Sequence, residues 1–304
     1  MTDQSKQDNR GNFLTEQRNP LSMDLDKLSA LELVQLMNQQ DLEVVQAVSA
    51  AQESIAQGII LIAEALAQGG RLFYVGAGTS GRLGVLDASE CPPTFRTDPT
   101  MVQGLIAGGP EALVRSIEGA EDSPGTGAAD LRERGIGPKD VVVGIAAGGT
   151  TPYIHGALAE AHAQGAKTIF FCCVSKEQVP DDYDLSIRVL VGPEILTGST
   201  RLKAGTATKM VLNMLSTGAM VRLGKVYENL MVDVAVTNRK LEARALRILS
   251  TLAKVSPTEA RDLLKKADNQ VKLALVIHHK QLDKAEAEAL LQEHQGQLSK
   301  ILRS

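Results

Sequence analysis

The 304-residue chain reads as an α/β protein, a doubly wound parallel sheet with an N-terminal helical lead-in and a small all-helical C-terminal domain. Three observations predict this. Between residues 72 and 191, five short β-branched runs alternate with amphipathic stretches and Gly/Ser/Thr turns, the rhythm of alternating strands and helices. Most of these runs are apolar throughout, as strands covered on both faces must be. After Asn238 the strands stop, and the remainder has helical patterning.

The elements follow in order. Residues 1–13 read as a disordered polar tail with almost nothing to bury. Ser29 and Asp41 are placed as N-caps, and Leu42, Val45, Val48, Ile55, Ile59 and Ile62 roughly hold one face of a long leading helix until Gly69-Gly70 ends it. Strands are expected at 72–75, 102–107, 141–146, 168–173 and 186–191. Helices are expected at 82–89, 110–118, 128–134, 152–164 and 203–223, with Pro92-Pro93 terminating the first. Ser256-Pro257-Thr258-Glu259 combines a capping box with proline at the first helical position, and breaks near Asp283 and Gly296 divide the tail into three short helices. The domains are then 14–238 and 239–304, with a three-helix unit over 256–304.

Composition excludes several classes. With 43% hydrophobic residues the chain can bury a full core, and 32 Lys+Arg against 36 Asp+Glu leave a net charge of −4, so no field gathers nucleic acid. An aromatic content of 3% without Trp also leaves few platforms for stacking bases. The longest apolar stretch, 59–67, is interrupted by Glu64, too short for a membrane span, and residues 1–12 lack a signal-peptide core. Cys91, Cys172 and Cys173, an odd number with two adjacent, suit a reducing cytoplasm and not a disulfide framework.

Gly76-Ala77-Gly78-Thr79-Ser80-Gly81 lies after a strand and before a helix, where a turn can cradle a phosphate. Its G-x-G-x-x-G pattern also fits a dinucleotide, but that site needs an acid closing the second strand. Asp98 precedes that strand, and Glu111 comes well after it, so the nucleotide reading is the weaker one. Hydroxyl-rich turns recur at Gly148-Gly149-Thr150-Thr151-Pro152 and Thr197-Gly198-Ser199-Thr200, all on the carboxyl edge of the sheet. Their donors suit a sugar phosphate, the plain alternative being ordinary N-caps. Arg201 and Lys203 oppose a helix dipole unless an anion is near, either a ligand phosphate or carboxylate or a neighbouring acid. Candidate ligand contacts are Gly78, Thr79, Ser80, Gly81, Gly149, Thr150, Thr151, Ser199, Thr200 and Lys203. Glu90 and the cluster Glu118, Glu121 and Asp122 read from composition as solvated acids at helix ends. The five histidines show no metal-ligand spacing and read as surface or packing residues.

The run from Gly76 through Gly84 into Asp87-Ala88-Ser89-Glu90-Cys91-Pro92-Pro93 resembles the N-acetylmuramic acid 6-phosphate etherases. The resemblance continues through Gly104-Leu105-Ile106-Ala107-Gly108-Gly109, the Glu118 to Ser123 segment, Thr197 to Thr206, Leu212 to Gly218 and Asn229 to Val234, with Thr15-Glu16-Gln17-Arg18-Asn19-Pro20 fitting as well. It implies a sugar isomerase (SIS) domain with a ubiquitin-associated-like helical tail, a homodimer, no metal and no organic cofactor. It also implies cleavage of the lactyl ether of N-acetylmuramate 6-phosphate, with Glu90 as proton donor and Glu121 as the second catalytic glutamate. The chain departs from the family's common Ala-Ala-Ser-Gly-Arg-Thr-Pro-Tyr at Gly148 and Thr150, and Cys172-Cys173-Val174-Ser175 stands where Cys-Asn-Pro is usual. The rival expectations are an aldose-ketose isomerase on the same fold, which would not release lactate, and a non-catalytic sugar-phosphate sensor similar to the animal glucokinase regulatory protein.

Overall fold

Ser29 accepts the N–H of Glu32 while the Glu32 carboxylate accepts that of Ser29, and this reciprocal cap opens helix α1, Ala30–Ala50. The structure is a computed structural model and describes Gly11 and residues 13–303, so most of the expected polar tail lies outside the described residues. Phe13, at the end of that tail, packs against the main core. Asp41 falls inside α1 instead of starting a helix. The chain breaks at Ala51 and resumes as α2, Gln52–Ala67, so the expected single leading helix is two.

Five parallel strands follow: β1 Leu72–Gly76, β2 Val102–Ile106, β3 Val141–Ile145, β4 Lys167–Cys172 and β5 Leu185–Arg188, in the order β2-β1-β3-β4-β5. Their apolar character has the expected cause. Every residue of β1 and β3 is buried, and Phe73, Val75, Val142 and Phe170 pack on Leu131, Tyr153, Ile154 and Leu158. At the amino edge Asp140 takes the Arg71 N–H at 2.8 Å and its guanidinium at 2.7 Å, clasping the start of β1 to that of β3. The crossing helices are α3 Gly78–Phe95, α4 Pro124–Glu133, α5 Pro152–Ala163 and α6 Lys203–Arg222.

Two expectations are corrected here. Pro92 and Pro93 lie inside α3, which ends at Phe95 with Arg96 in the left-handed region. The helix carries through both prolines despite the two N–H groups they remove. The expected helix over 110–118 is a single 3-10 turn, Pro110–Leu113, because Val114, 82% exposed, finds nothing to bury against.

The described residues form two compact units, one reaching to Ser89 and resuming over Thr100–Leu215, the other made of Glu90–Pro99 and the chain from Ser216 onward. The second holds α7 Arg239–Ala253, α8 Pro257–Lys266, α9 Val271–Lys280, α10 Lys284–Glu293 and α11 Leu298–Leu302, around Leu249, Leu264, Leu273, Leu275 and Ile301. Asp268 and Asn269 in left-handed conformation add a break beyond those expected. Lys272 is buried there with its ammonium on the Gly224 carbonyl and the Asp233 carboxylate. Burial pushes its pKa down, against the pull of Asp233. No described helix is long and apolar enough to cross a membrane.

Candidate functional site

β1 ends at Gly76, in register with Ile106 of β2 and Ile145 of β3, and the chain turns at once into α3. A Cβ at Gly76 would stand 2.4 Å from the Gly81 nitrogen, so only glycine lets the turn fold back over the strand end. Gly78 meets no such obstacle but has a φ of +51°. The N–H groups of residues 78–80 have no acceptor within α3, and the positive end of the helix dipole lies there. In a 2-1-3-4-5 sheet the winding reverses between β1 and β3, and ligands bind beyond the carboxyl ends of those strands. The Gly76–Gly81 turn and the turn at 148–151 flank that gap.

The second turn is braced by a histidine that the sequence marked as a surface or packing residue. His155 Nε2 lies 2.8 Å from the Gly149 carbonyl and Nδ1 lies 2.7 Å from the Tyr183 hydroxyl. A carbonyl only accepts, so Nε2 carries the hydrogen and Nδ1 faces the phenol. Burial, then the Asp181 and Asp182 charges, push the Tyr183 pKa up to about 12, which keeps that phenol a donor. Nothing in the local sequence announces this pairing, since Tyr183 arrives from the loop after β4.

Thr151 occupies the N-cap of α5, yet its side chain makes no capping bond, whereas Ser29, Ser123, Asn238 and Ser256 all cap their helices. The side-chain hydroxyls of Thr79, Ser80, Thr150, Thr151, Ser199 and Thr200 form no hydrogen bond with another described residue. Ordinary capping therefore does not account for them. Six hydroxyl donors are left without a partner among the described residues.

The start of α6 differs from what the sequence suggested. Both oxygens of Glu194, a fully buried carboxylate, accept the N–H groups of Lys203 and Ala204 at 2.9 Å. Burial raises the Glu194 pKa, while those two N–H bonds and Lys203 pull it back. Lys203 is 1% exposed, and its ammonium holds Gln40 and Glu43 at 3.1 Å and the Pro193 carbonyl at 3.3 Å. The anion that relieves the helix dipole is thus internal, and Lys203 is a buried post, not a ligand contact. Glu194 was missed because its partners lie nine and ten residues on, with no local motif.

Glu121 sits exposed in the 3-10 turn Ala120–Asp122, which packs against α5. That packing is close. A Cβ at Gly156 would stand 1.9 Å from the Pro124 carbonyl and one at Gly127 2.0 Å from the Tyr153 carbonyl, so α4 and α5 meet backbone to backbone. The segment carrying Glu121 is thereby fixed to the helix that begins at the second turn. Glu90 is exposed and belongs to the second unit.

Comparisons with known proteins agree with this architecture. The glucokinase regulatory protein N-terminal SIS domain matches residues 54–162, the SIS domain matches 126–218, and the C-terminal lid domain of glucokinase regulatory protein matches 228–285. A Synechococcus elongatus protein named N-acetylmuramic acid 6-phosphate etherase is 62% identical, covering 95% of this chain and 94% of its own. One of the same name from Picosynechococcus is 60% identical over 98% of this chain and 99% of its own. A solved Bacteroides fragilis structure, assigned as a phosphosugar isomerase involved in capsule formation, is 18% identical with a TM-score of 0.50, covering 66% of this chain and 95% of that one, and shares the fold.

Proposed function

The chain belongs to the N-acetylmuramic acid 6-phosphate etherase family, and from that premise we propose how its residues carry out the reaction. The protein cleaves the lactyl ether of N-acetylmuramic acid 6-phosphate, giving N-acetylglucosamine 6-phosphate and D-lactate. In the open-chain aldehyde the C2 proton is acidified and the ether at C3 lies β to the carbonyl. Glu121 removes the C2 proton, the C3–O bond breaks, and Glu90 protonates the departing lactyl oxygen. Water then adds to the unsaturated aldehyde, its hydroxyl to C3 and a proton to C2, so one water is consumed overall. The phosphate, remote from the bond broken, supplies binding energy that holds C2 and C3 in position.

The observation that carries the binding half is the set of unengaged hydroxyls and first-turn N–H groups beside the β1/β3 reversal. Gly78, Thr79, Ser80 and Gly81 hold the phosphate, with Gly149, Thr150 and Thr151 on its other flank and Ser199 and Thr200 toward the sugar. A homodimer is supported by apolar side chains that α1 leaves exposed, among them Leu31, Val34, Leu42 and Val45. A cytoplasmic setting is supported by three buried free cysteines.

Purified protein given N-acetylmuramate 6-phosphate should release D-lactate, with Glu121→Gln and Glu90→Gln each lowering the rate by at least about 1,000-fold while unfolding as the parent does. A near-normal rate in either variant removes that residue from the mechanism. Formation of a ketose without lactate would favour the isomerase.

A further inference from the structure

Gly149 is where the second turn meets the loop after β4. Its N–H donates to the Ala146 carbonyl at 2.8 Å, its φ is +79°, and a Cβ there would stand 2.8 Å from a Val174 methyl and 3.1 Å from a Val179 methyl. The loop that supplies both valines reaches the turn a second time through Tyr183 and His155. It is anchored on either side of the tyrosine. Arg188 donates to the Val174 carbonyl at 2.9 Å and to the Val179 carbonyl at 2.7 Å, and Asp184 accepts the Thr168 N–H at 2.9 Å. The rings of His155, Tyr183 and the buried Phe170 also lie together, with centres between 5.4 and 6.2 Å apart.

His155 is the fourth residue of α5, and helical side chains lean back toward the helix N-terminus, so its Nε2 meets a carbonyl six residues earlier. That contact fixes more than an oxygen. A trans peptide is planar, with its carbonyl and the following N–H on opposite sides, so holding the Gly149 carbonyl turns the Thr150 N–H away from His155. Thr150 is only half-buried, and its N–H has no hydrogen-bond partner among the described residues. Glycine by itself does little to orient this peptide, and the imidazole is the one partner of its carbonyl among the described residues.

We propose that His155 is a positioning residue for substrate binding: oriented by the Tyr183 hydroxyl, it holds the Gly149–Thr150 peptide so that the Thr150 N–H is presented to the phosphate of the sugar phosphate. His155 itself touches no substrate. The inference rests on the sugar-phosphate reading of the site, with the second turn on one flank of the phosphate, and not on the etherase chemistry.

Titration calorimetry with N-acetylglucosamine 6-phosphate, and separately with inorganic phosphate, tests it on the full chain together with steady-state lactate release. His155→Leu removes both ring nitrogens at similar volume and should weaken both ligands about 10- to 100-fold, as loss of a hydrogen bond to a charged group does. KM should rise while kcat stays within about threefold, because the lost contact is made in ground and transition states alike. His155→Gln, whose amide nitrogen can take the place of Nε2 and donate to the Gly149 carbonyl, should recover affinity to within about fivefold of the parent. Tyr183→Phe should weaken binding about 2- to 10-fold, the worth of a neutral hydrogen bond. In the parent at about pH 8, nitrogen-15 spectra of His155 should show the hydrogen on Nε2 and none on Nδ1. Parent-like affinity in His155→Leu, a fall in kcat with KM unchanged, no recovery in His155→Gln, or a hydrogen on Nδ1 and not Nε2 each overturns the proposal. Parent-like binding in Tyr183→Phe overturns the part given to the phenol, and loss for the sugar phosphate but not for inorganic phosphate overturns the phosphate assignment. If His155→Leu does not fold, His155→Met is read in its place by the same criteria. A parent protein that binds no sugar phosphate would instead overturn the site reading itself, and one that binds but releases no lactate would overturn only the chemistry, with calorimetry still deciding the role of His155.

Discussion

Replacing Gly76 by alanine should damage the cradle far more than the same change at Gly78, although both glycines belong to one turn. The new Cβ at position 76 would stand 2.4 Å from the Gly81 nitrogen and 2.6 Å from the Gly81 Cα, against an ordinary contact of 3.4 Å, so the turn must retreat by about 3.4 − 2.4 = 1.0 Å. It cannot retreat freely, because Gly81 is packed on Ile106 and the Gly76 carbonyl accepts the Ala107 N–H at 3.0 Å. Overpacking of this kind costs about 1–3 kcal/mol and a disrupted hydrogen bond about 1 kcal/mol more, so a loss of about 2–4 kcal/mol is expected. That is a large share of the roughly 5–15 kcal/mol of a typical domain. The displaced N–H groups should also lower kcat/KM about 100-fold, the usual effect of a misplacement near 1 Å. Gly78→Ala has open space around its Cβ and suffers only the φ of +51°, about 1–2 kcal/mol. Urea unfolding of both variants with steady-state lactate release reads the contrast. The reasoning is refuted if Gly76→Ala unfolds within 1 kcal/mol of the parent, or if Gly78→Ala proves the less stable of the two.

Other expectations follow from the sheet unit. Asp140→Ala strips the clasp from Arg71 and leaves its partly buried guanidinium unpaired, which should cost about 3 kcal/mol in urea unfolding without altering KM. Asp184 is pushed up by burial but pulled further down by Lys167 and by the Thr168 N–H and hydroxyl, so its carboxyl lies below the ordinary aspartate value of 3.8. A depressed carboxyl contributes stability above the unfolded pKa and loses it as pH falls through the folded value. The parent should therefore exceed Asp184→Asn by about 1 kcal/mol at neutral pH, and the gap should close in acid unfolding below pH 3.8. A gap that widens in acid would reverse the sign of this argument.

The sheet was legible because its information is local. A run such as Val141-Val142-Val143 has only one kind of place to go in an α/β chain, and it is fully buried as β3. The cradle was legible for the same reason, Gly76 being required by a contact with Gly81 only five residues on. Reading failed where a partner comes from far along the chain. Lys203 looked like a ligand cation because Gln40 and Glu43 stand over 150 positions away, and Glu194 could not be recognised as the internal anion at α6. Residues 110–118 failed differently, their apolar spacing being helical while Val114 and Ile117 remain exposed. Pro92-Pro93 failed because the helix runs through both prolines to Phe95, although each removes an i→i−4 hydrogen bond.

The central claim is elimination across C2–C3 with the ether oxygen leaving on lactate. Turnover in heavy-oxygen water, followed by borohydride reduction and mass fragmentation to set aside the exchangeable C1 oxygen, tests it most directly. The account predicts one heavy oxygen at C3 of N-acetylglucosamine 6-phosphate and none in the D-lactate hydroxyl. Heavy oxygen in that lactate hydroxyl, with C3 unlabelled, would mean cleavage on the lactyl side and would contradict it.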